Sequence, residues 1–351
     1  MQKMNDLNSN NLSTQMVSKR QSNIELCRII SMLLIVFLHS TWQSIGYPQT
    51  GESLHPIVLV LFSLSIVGVN VFLFISGWFS ININKQSLFN LFWILLFYGI
   101  VRVVLKIYDG RFSVQDILFI SRSNWFIISY IGLILISPVL NSFVEKAHSK
   151  HLGGLILALL LYETWFSIFP ARSTIEPGFH NGCSLIWFVI VYLIARYFRL
   201  FGFPNILRRY CFLIYIMSSC LVYTLTYFSI MHLPSNYIPP VVGKIGAQNN
   251  ILILIGAISL FCCFEKLSFS SKAINYIAKS TLAVLLVHTS IISPYMKNFY
   301  LRLSADKESV MTVLCWILGG ILIFSFSVLV DQIRIFSQFC INKYLLWKNI
   351  K

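Results

Sequence analysis

Charged residues are scarce in this chain, and acidic residues are the scarcer kind. Charged side chains make up 11% of the 351 residues, with 12 Asp or Glu against 27 Lys or Arg, whereas 57% of the residues are hydrophobic. A soluble domain carries about 25% charged residues, and the mean hydropathy of +0.75 lies far on the apolar side. This composition excludes an ordinary soluble globular domain and indicates an integral membrane protein.

Other features are absent as well. The chain has no CxxC pair among its eight cysteines, which are scattered and mostly lie within apolar segments. This spacing predicts packing residues rather than a disulfide framework or a metal site. The sequence also has no P-loop, no GxGxxG, no GxSxG and no HExxH motif, so the common signatures of nucleotide binding, serine hydrolysis and zinc proteolysis are missing.

Long apolar runs dominate what is present. We predict an all-α, polytopic membrane protein of about ten transmembrane helices, at 24–45, 57–79, 88–107, 125–144, 152–170, 183–200, 210–231, 249–264, 276–296 and 310–332. The polar stretches between them are too short to hold a second folded domain. Residues 1–22 are rich in Asn, Ser and Gln and are expected to be a disordered tail. Residues 23–335 form the predicted membrane domain, and 336–351 are expected to be a short basic tail.

The distribution of positive charge predicts the orientation. With both termini in the cytoplasm, the inner segments carry sixteen Lys and Arg residues and the outer segments carry eight, as the positive-inside bias requires. The net charge of +15 is then explained by this bias and by contact with anionic lipids. Nucleic-acid binding is not expected.

Arg28 and His39 stand out because ionisable side chains are rare inside an apolar segment. They lie eleven residues apart in the first predicted span. Eleven helical steps make about three turns and about 16 Å, so both side chains project from one face. Such groups cost at least about 2.5–3.5 kcal/mol each near the bilayer centre, and we expect both to line one shared cavity. Alternatively, Arg28 extends to lipid headgroups with Glu25 as its partner, and His39 is an interfacial histidine.

Further polar residues lie within the predicted spans. Asn70 precedes the small-residue pair Ser76-Gly77 in a pattern typical of close helix packing, and Asn70 would need a hydrogen-bond partner there. Arg102 is fourteen residues into the third span, which predicts a depth near that of His39. Glu163 in the fifth span could serve a proton relay or a structural ion pair, and the sequence does not identify its partner.

His288 lies in the ninth predicted span, twelve residues past Tyr276. This spacing places its side chain about 18 Å into the span, at a depth similar to that of His39 in a span running in the same direction. Trp125 stands at the start of the fourth span, where an aromatic belt residue is also expected.

Together these segments resemble the acyltransferase 3 family of integral membrane O-acyltransferases, many of which modify bacterial surface carbohydrates. The resemblance runs from residue 23 to about 332 and rests on Glu25-Leu-Cys-Arg28 followed by His39, Asn70 through Ser76-Gly77, Trp125-Phe126 with Ser137-Pro138, Trp187, and Leu-Leu-Val-His288. Two features depart from the family pattern. Asn70 stands where many members have Asp, and the Arg-rich patch usual after the second span is reduced to Lys85.

The resemblance implies transfer of an acyl group, with acetyl expected, from acyl-CoA to a hydroxyl of a cell-surface polysaccharide or a lipid-linked sugar. It implies a bacterial cytoplasmic membrane location and no permanently bound cofactor. Unlike the two-domain members of the family, this sequence is not expected to carry a fused soluble esterase-like domain after the last span. The residues expected to be catalytic are His39, Arg28 and His288, and those expected to bind substrate or donor are Glu25, Arg102, Asn70, Ser76 and Trp125. A neutral imidazole suits the activation of a sugar hydroxyl, so His39 is expected to act as the base, or as the site of an acyl-imidazole intermediate. Arg28 or Arg102 is expected to stabilise the oxyanion or hold coenzyme A.

Two alternatives remain open. A polytopic transporter or flippase for a sugar-lipid or polysaccharide would have similar hydropathy, although no inverted repeat supports it. The unrelated membrane-bound O-acyltransferase group also uses an intramembrane histidine, but it is not expected to place it in the first span eleven residues after an arginine.

Overall fold

The protein is an assembly of α-helices. A computed structural model describes residues 21–114, 125–168, 180–305 and 310–348, and these ranges contain helices and no strand. Of the predicted tail at residues 1–22, residues 1–20 lie outside these ranges, and Ser22 begins the first helix. The helices are α1 (Ser22–His39), α2 (Trp42–Ile45), α3 (Pro56–Ser65), α4 (Gly68–Phe79), α5 (Lys85–Tyr108), α6 (Trp125–Lys146), α7 (Ser149–Ile168), α8 (Leu185–Phe201), α9 (Asn205–His232), α10 (Ile238–Ile245), α11 (Ile251–Glu265), α12 (Lys272–Ile277), α13 (Thr281–Ser290), α14 (Ser293–Leu303) and α15 (Val310–Lys348).

Several helices match membrane dimensions. Within the described ranges, six stretches are long and apolar enough to cross a bilayer: Ser22–Ile45, Pro56–Phe79, Lys85–Tyr108, Trp125–Lys146, Asn205–His232 and Val310–Lys343. The bent pair Lys272–Ser290 and Ser293–Leu303 gives a seventh if it is one span. The chain is therefore a multi-pass membrane protein. A helix lies at each of the ten predicted segments, but the count of ten spans and the orientation of the termini stay predictions.

Side chains that cap helix starts fix several of these boundaries. The Asn84 side chain accepts a hydrogen bond from the Ser87 amide at the start of α5, and Ser184 does the same for Trp187 at the start of α8. Such caps satisfy amide groups that have no partner within the helix.

Close helix approach shapes the centre of the bundle, where α4 packs against α1 and α8. A Cβ added at Gly68 would lie 2.8 Å from the Ser31 carbonyl oxygen of α1, and one added at Gly77 would lie 2.8 Å from the Tyr192 carbonyl oxygen of α8. Only glycine permits backbones to approach this closely. The small residues predicted to be packing positions therefore do pack, and they hold α1 and α4 side by side.

A sharp break follows α13. The helices Lys272–Ser290 and Ser293–Leu303 meet at 71°, and Pro294 in the first turn of α14 has no amide hydrogen to continue the preceding helix. The end of α13 therefore lies beside the start of α14, with His288 two residues before the end of α13.

The last helix is longer than the sequence predicts. α15 runs from Val310 to Lys348, whereas the predicted span ends at 332 and residues 336–351 are predicted to be a tail. Helical structure thus continues through most of that tail. The consequence for the site is that Arg334 lies inside a packed helix rather than in a loop.

Candidate active site

Two histidines from different helices meet near the middle of the bundle. His39 Nδ1 lies 2.7 Å from His288 Nε2, and the two rings are 4.9 Å apart between centroids. His288 Nδ1 lies 2.6 Å from the carbonyl oxygen of Val284. His288 is buried, with 1% of its surface exposed. The prediction that both histidines reach a similar depth is confirmed by this contact.

The hydrogen-bond chain fixes the tautomers of the two neutral rings. A carbonyl oxygen only accepts, so His288 Nδ1 carries the proton and His288 Nε2 is an acceptor. His39 Nδ1 must then donate to His288 Nε2, which leaves the lone pair of His39 on Nε2. This arrangement directs the basic nitrogen of His39 away from His288, in the way that a second-layer hydrogen bond orients a catalytic imidazole.

The helix end that carries His39 is held on several sides. His39 is the last residue of α1, and the Ser44 hydroxyl donates to its carbonyl oxygen at 2.7 Å. The next residue, Ser40, accepts a 2.9 Å hydrogen bond from the buried indole of Trp316 in α15. These contacts satisfy groups that the helix end leaves without internal partners, and they fix the backbone from which the imidazole projects.

We call the space next to these rings the histidine cavity. Its volume is about 320 Å³, and its lining comprises Ile35, His39, Gln43, Ser44, Val69, Trp125, Phe126, Ile127, Leu285, Leu286, His288, Thr289, Ser293, Met296 and Lys297. The lining combines apolar walls with a few polar groups, as ligand sites usually do. Trp125 therefore lies in the same cavity as His39 and His288.

A second, larger space, the arginine cavity, lies nearer the Arg28 end of the bundle. Its volume is about 710 Å³, and the charged residues that line it are Arg28, Lys279 and Arg334. No acidic residue belongs to this lining within the part of the chain that the structure describes. Three cationic side chains face this space, two of them paired with an acid outside the lining, and together they make it suitable for an anion.

Both arginines of this cavity form an ion pair with an acid three residues earlier on the same helix. Glu25 Oε2 accepts from Arg28 Nη1 at 2.7 Å. Asp331 accepts from Arg334 Nε at 2.6 Å and from Nη2 at 2.8 Å, and it also accepts from the Tyr98 hydroxyl at 2.9 Å. A bidentate pair fixes the plane of the guanidinium. Neither Arg334 nor Lys279 is among the site residues predicted from the sequence, and Arg334 lies two residues beyond the end of the last predicted span.

The expectation that Arg28 and His39 share one cavity is wrong. Arg28 lines the arginine cavity and His39 lines the histidine cavity. The two residues are about 16 Å apart along α1, and the turns of α1 between them are packed. Ser31 and Met32 have no exposed surface. The two residues do share a helix face, but they serve different spaces.

The two cavities follow one another along the same helices. Tyr130 of α6 lines the arginine cavity, while Phe126 and Ile127 line the histidine cavity. On α13, Leu282 lines the arginine cavity and Leu285 lines the histidine cavity. On each helix, the residue that lines one cavity is about one turn away from the residue that lines the other. The rings of Phe126 and Tyr130 are stacked 5.8 Å apart within this dividing layer.

Ser76 lines the arginine cavity, where its hydroxyl is 3.2 Å from that of Tyr130. The chain after α4 continues along the same wall. Its Ile81 amide donates to the Tyr192 hydroxyl at 3.1 Å, and the Ile81 carbonyl accepts from Asn141 at 3.0 Å. These contacts hold the backbone edge of the cavity in place.

Asn70 and Arg102 do not line either cavity. Asn70 is fully buried, donates to the Gln248 carbonyl at 2.8 Å and accepts from the Trp187 indole at 2.9 Å. Its amide is thus used in packing, which corrects the expected binding role. Arg102 lies on α5, and the match in depth with His39 does not bring it to the same space. Depth along a span does not predict the direction in which a side chain points.

Glu163, whose partner the sequence left open, is fully buried in α7 and accepts a 3.2 Å hydrogen bond from Asn249. Asn249 adjoins Gln248, which receives the Asn70 contact. Glu163 therefore belongs to the polar packing around Asn70 rather than to either cavity.

The chain is similar to a known protein family over most of its length. The profile of the acyltransferase 3 family, described as an acyltransferase domain, matches residues 21–331, nearly the whole chain. The chain belongs to the acyltransferase 3 family. This membership assigns the protein to the membrane acyltransferases, and the matched region contains both histidines and Arg28. It ends at Asp331, three residues before Arg334. No curated protein and no solved structure gives a significant match.

Proposed function

We propose that this acyltransferase moves an acyl group, acetyl being the expected one, from acyl-CoA to a hydroxyl of a cell-surface polysaccharide or lipid-linked sugar. The observation that carries the proposal is the hydrogen-bond chain Val284–His288–His39, which leaves the basic Nε2 of His39 free to act at the histidine cavity. The bacterial cytoplasmic membrane is the proposed location, with the Arg28 end of the bundle facing the cytoplasm.

The donor is proposed to bind in the arginine cavity. Coenzyme A carries several negative charges on its phosphates, and Arg28, Lys279 and Arg334 supply three cations around one space. Pre-oriented guanidinium groups bind phosphate well because their paired N–H donors match its oxygens. Glu25 and Asp331 orient the two arginines and so act as positioning residues.

The thioester end of the donor is proposed to pass through the dividing layer to His39. The layer is about one helical turn thick and is formed by side chains such as Phe126, Tyr130 and Leu282. We expect rotamer changes of these side chains to open a narrow passage, because Tyr130 and Phe126 lie one turn apart on the same face of α6.

The chemistry follows from the tautomer of His39. Its Nε2 removes the proton of the acceptor hydroxyl while the oxygen attacks the thioester carbonyl. The tetrahedral intermediate collapses, the carbon–sulfur bond breaks, and the thiolate of coenzyme A takes the proton from Nε2. The products are the sugar ester and free coenzyme A. The Gln43 amide in the cavity lining is a proposed donor to the oxyanion.

The direct test is to incubate purified protein in lipid with labelled acetyl-CoA and a panel of surface glycans. Label recovered as an ester on a glycan supports the proposal and narrows the acceptor. A transporter or flippase would instead move a glycan across vesicles without any ester, so mass spectrometry of the glycan separates these two functions.

A further inference from the structure

Lys297 gives the histidine cavity a distinct electrostatic character. Among the described residues it is the only formally charged side chain that lines this cavity, and no acid lines it. Lys297 is exposed and has no acidic partner within 4.0 Å in the part of the chain that the structure describes. A cation beside a proposed reaction site creates a positive potential there.

Helix geometry directs Lys297 towards the cavity. Ser293, Met296 and Lys297 all line it, and positions i, i+3 and i+4 share one face of α14. The 71° bend before α14 turns this face back across the end of α13, where His288 lies. Lys297 thus stands at the edge of the same space that His39 serves, on a different helix.

The rest of the lining suits part of a sugar. Trp125 offers an aromatic ring, and Gln43, Thr289 and Ser293 offer polar side chains. A volume of about 320 Å³ is at the lower end for ligand sites, so only a short part of a glycan can enter. A negatively charged group on that part would therefore come close to Lys297.

We propose that the acceptor is an anionic glycan, with a carboxylate or a phosphodiester next to the sugar that receives the acyl group, and that Lys297 is the specificity-determining residue. This inference rests on the proposed function, because it concerns the acceptor of the acyl group. The binding of the glycan can nevertheless be measured without acyl transfer. Because Lys297 is exposed, its effect is expected to be moderate and sensitive to salt.

The test measures binding of matched oligosaccharides to the full-length protein in lipid nanodiscs. One pair is a uronic-acid oligosaccharide and its carboxyl-reduced neutral counterpart, and a glycosyl-phosphodiester oligosaccharide distinguishes phosphate from carboxylate. The variants are Lys297→Gln, Lys297→Arg and, as the matched control on the same helix, Arg302→Gln, whose side chain is exposed and does not line the cavity.

We expect the unmodified protein to bind an anionic oligosaccharide about tenfold more tightly than the neutral one, equivalent to about 1.4 kcal/mol. Lys297→Gln should remove this preference, while Lys297→Arg and Arg302→Gln should keep it. Equal binding of charged and neutral oligosaccharides, or a preference that survives Lys297→Gln, overturns the inference. Preferential binding without ester formation from labelled acetyl-CoA would leave the inference standing and refute the proposed acyl transfer.

Discussion

His39 and His288 are 249 residues apart in the chain, yet their ring nitrogens Nδ1 and Nε2 lie 2.7 Å apart. One imidazole therefore orients the other, and the Val284 carbonyl fixes the direction of the chain of hydrogen bonds. The arrangement gives His288 a supporting role that proximity to the cavity alone would not reveal.

Replacing His288 with Phe removes the acceptor for His39 Nδ1. We expect kcat for ester formation to fall by at least about tenfold, because His39 loses its fixed tautomer, while KM for the donor stays within about twofold. His288→Gln retains an amide oxygen able to accept the same hydrogen bond and should recover part of the rate. Equal losses in both variants would argue against the orienting role.

Arg334 is expected to contribute to donor binding. The double variant Asp331→Asn/Arg334→Gln removes both charges of the buried ion pair. It therefore avoids the loss of roughly 3–5 kcal/mol in folding stability that is expected when only one partner is replaced and the other charge stays buried and unpaired. We expect KM for acetyl-CoA to rise by about tenfold, as one charged contact to phosphate is lost, with little change in kcat.

The matched control for Arg334 is Arg209→Gln, since Arg209 is exposed and lines neither cavity. Initial rates over a range of acetyl-CoA concentrations give both parameters. An unchanged KM in the double variant would remove Arg334 from the proposed donor site.

Tyr98 is expected to stabilise the fold through Asp331. Tyr98→Phe deletes the hydroxyl that donates to a fully buried carboxylate, and hydrogen bonds to charged groups are worth about 1.5–3 kcal/mol. Thermal unfolding in detergent should shift to lower temperature. Tyr276→Phe, which deletes a hydroxyl from a residue that is 48% exposed, should shift it much less, and equal shifts would show that burial of the Asp331 contact is unimportant.

Asn70 is expected to be structural. Asn70→Leu leaves both the Trp187 indole and the Gln248 carbonyl without their partner, at a cost of about 1–3 kcal/mol for each unsatisfied group. The unfolding temperature should fall, while KM for acetyl-CoA in the remaining folded protein stays unchanged. A selective rise in KM without loss of stability would restore the binding role expected from the sequence.

The sequence predicted the helical membrane fold and the similar depths of His39 and His288, because both depend on position along a helix. That the two side chains also point towards each other depends on how their helices pack, which depth does not predict. Arg102 had a similar predicted depth as well. The direction in which its side chain points depends on which helices pack against α5, and the periodicity of the sequence does not predict that packing.

Arg334 could have been found from a local signal. Asp331 and Arg334 repeat the spacing of Glu25 and Arg28, an acid three residues before an arginine within an apolar helix. The short predicted span placed Arg334 outside the membrane helix and hid this repetition. The separation of Arg28 from His39 was harder to foresee, since it depends on how tightly Ser31 and Met32 pack between two cavities.

The role of His39 as the base is tested most directly by the rate of ester formation by His39→Gln in lipid with saturating labelled acetyl-CoA and acceptor. This rate is expected to fall by about 10²–10⁴-fold, the usual contribution of a general base, while the protein inserts and unfolds as the unmodified one does. A correctly inserted His39→Gln protein that acylates glycan at the full rate would contradict it.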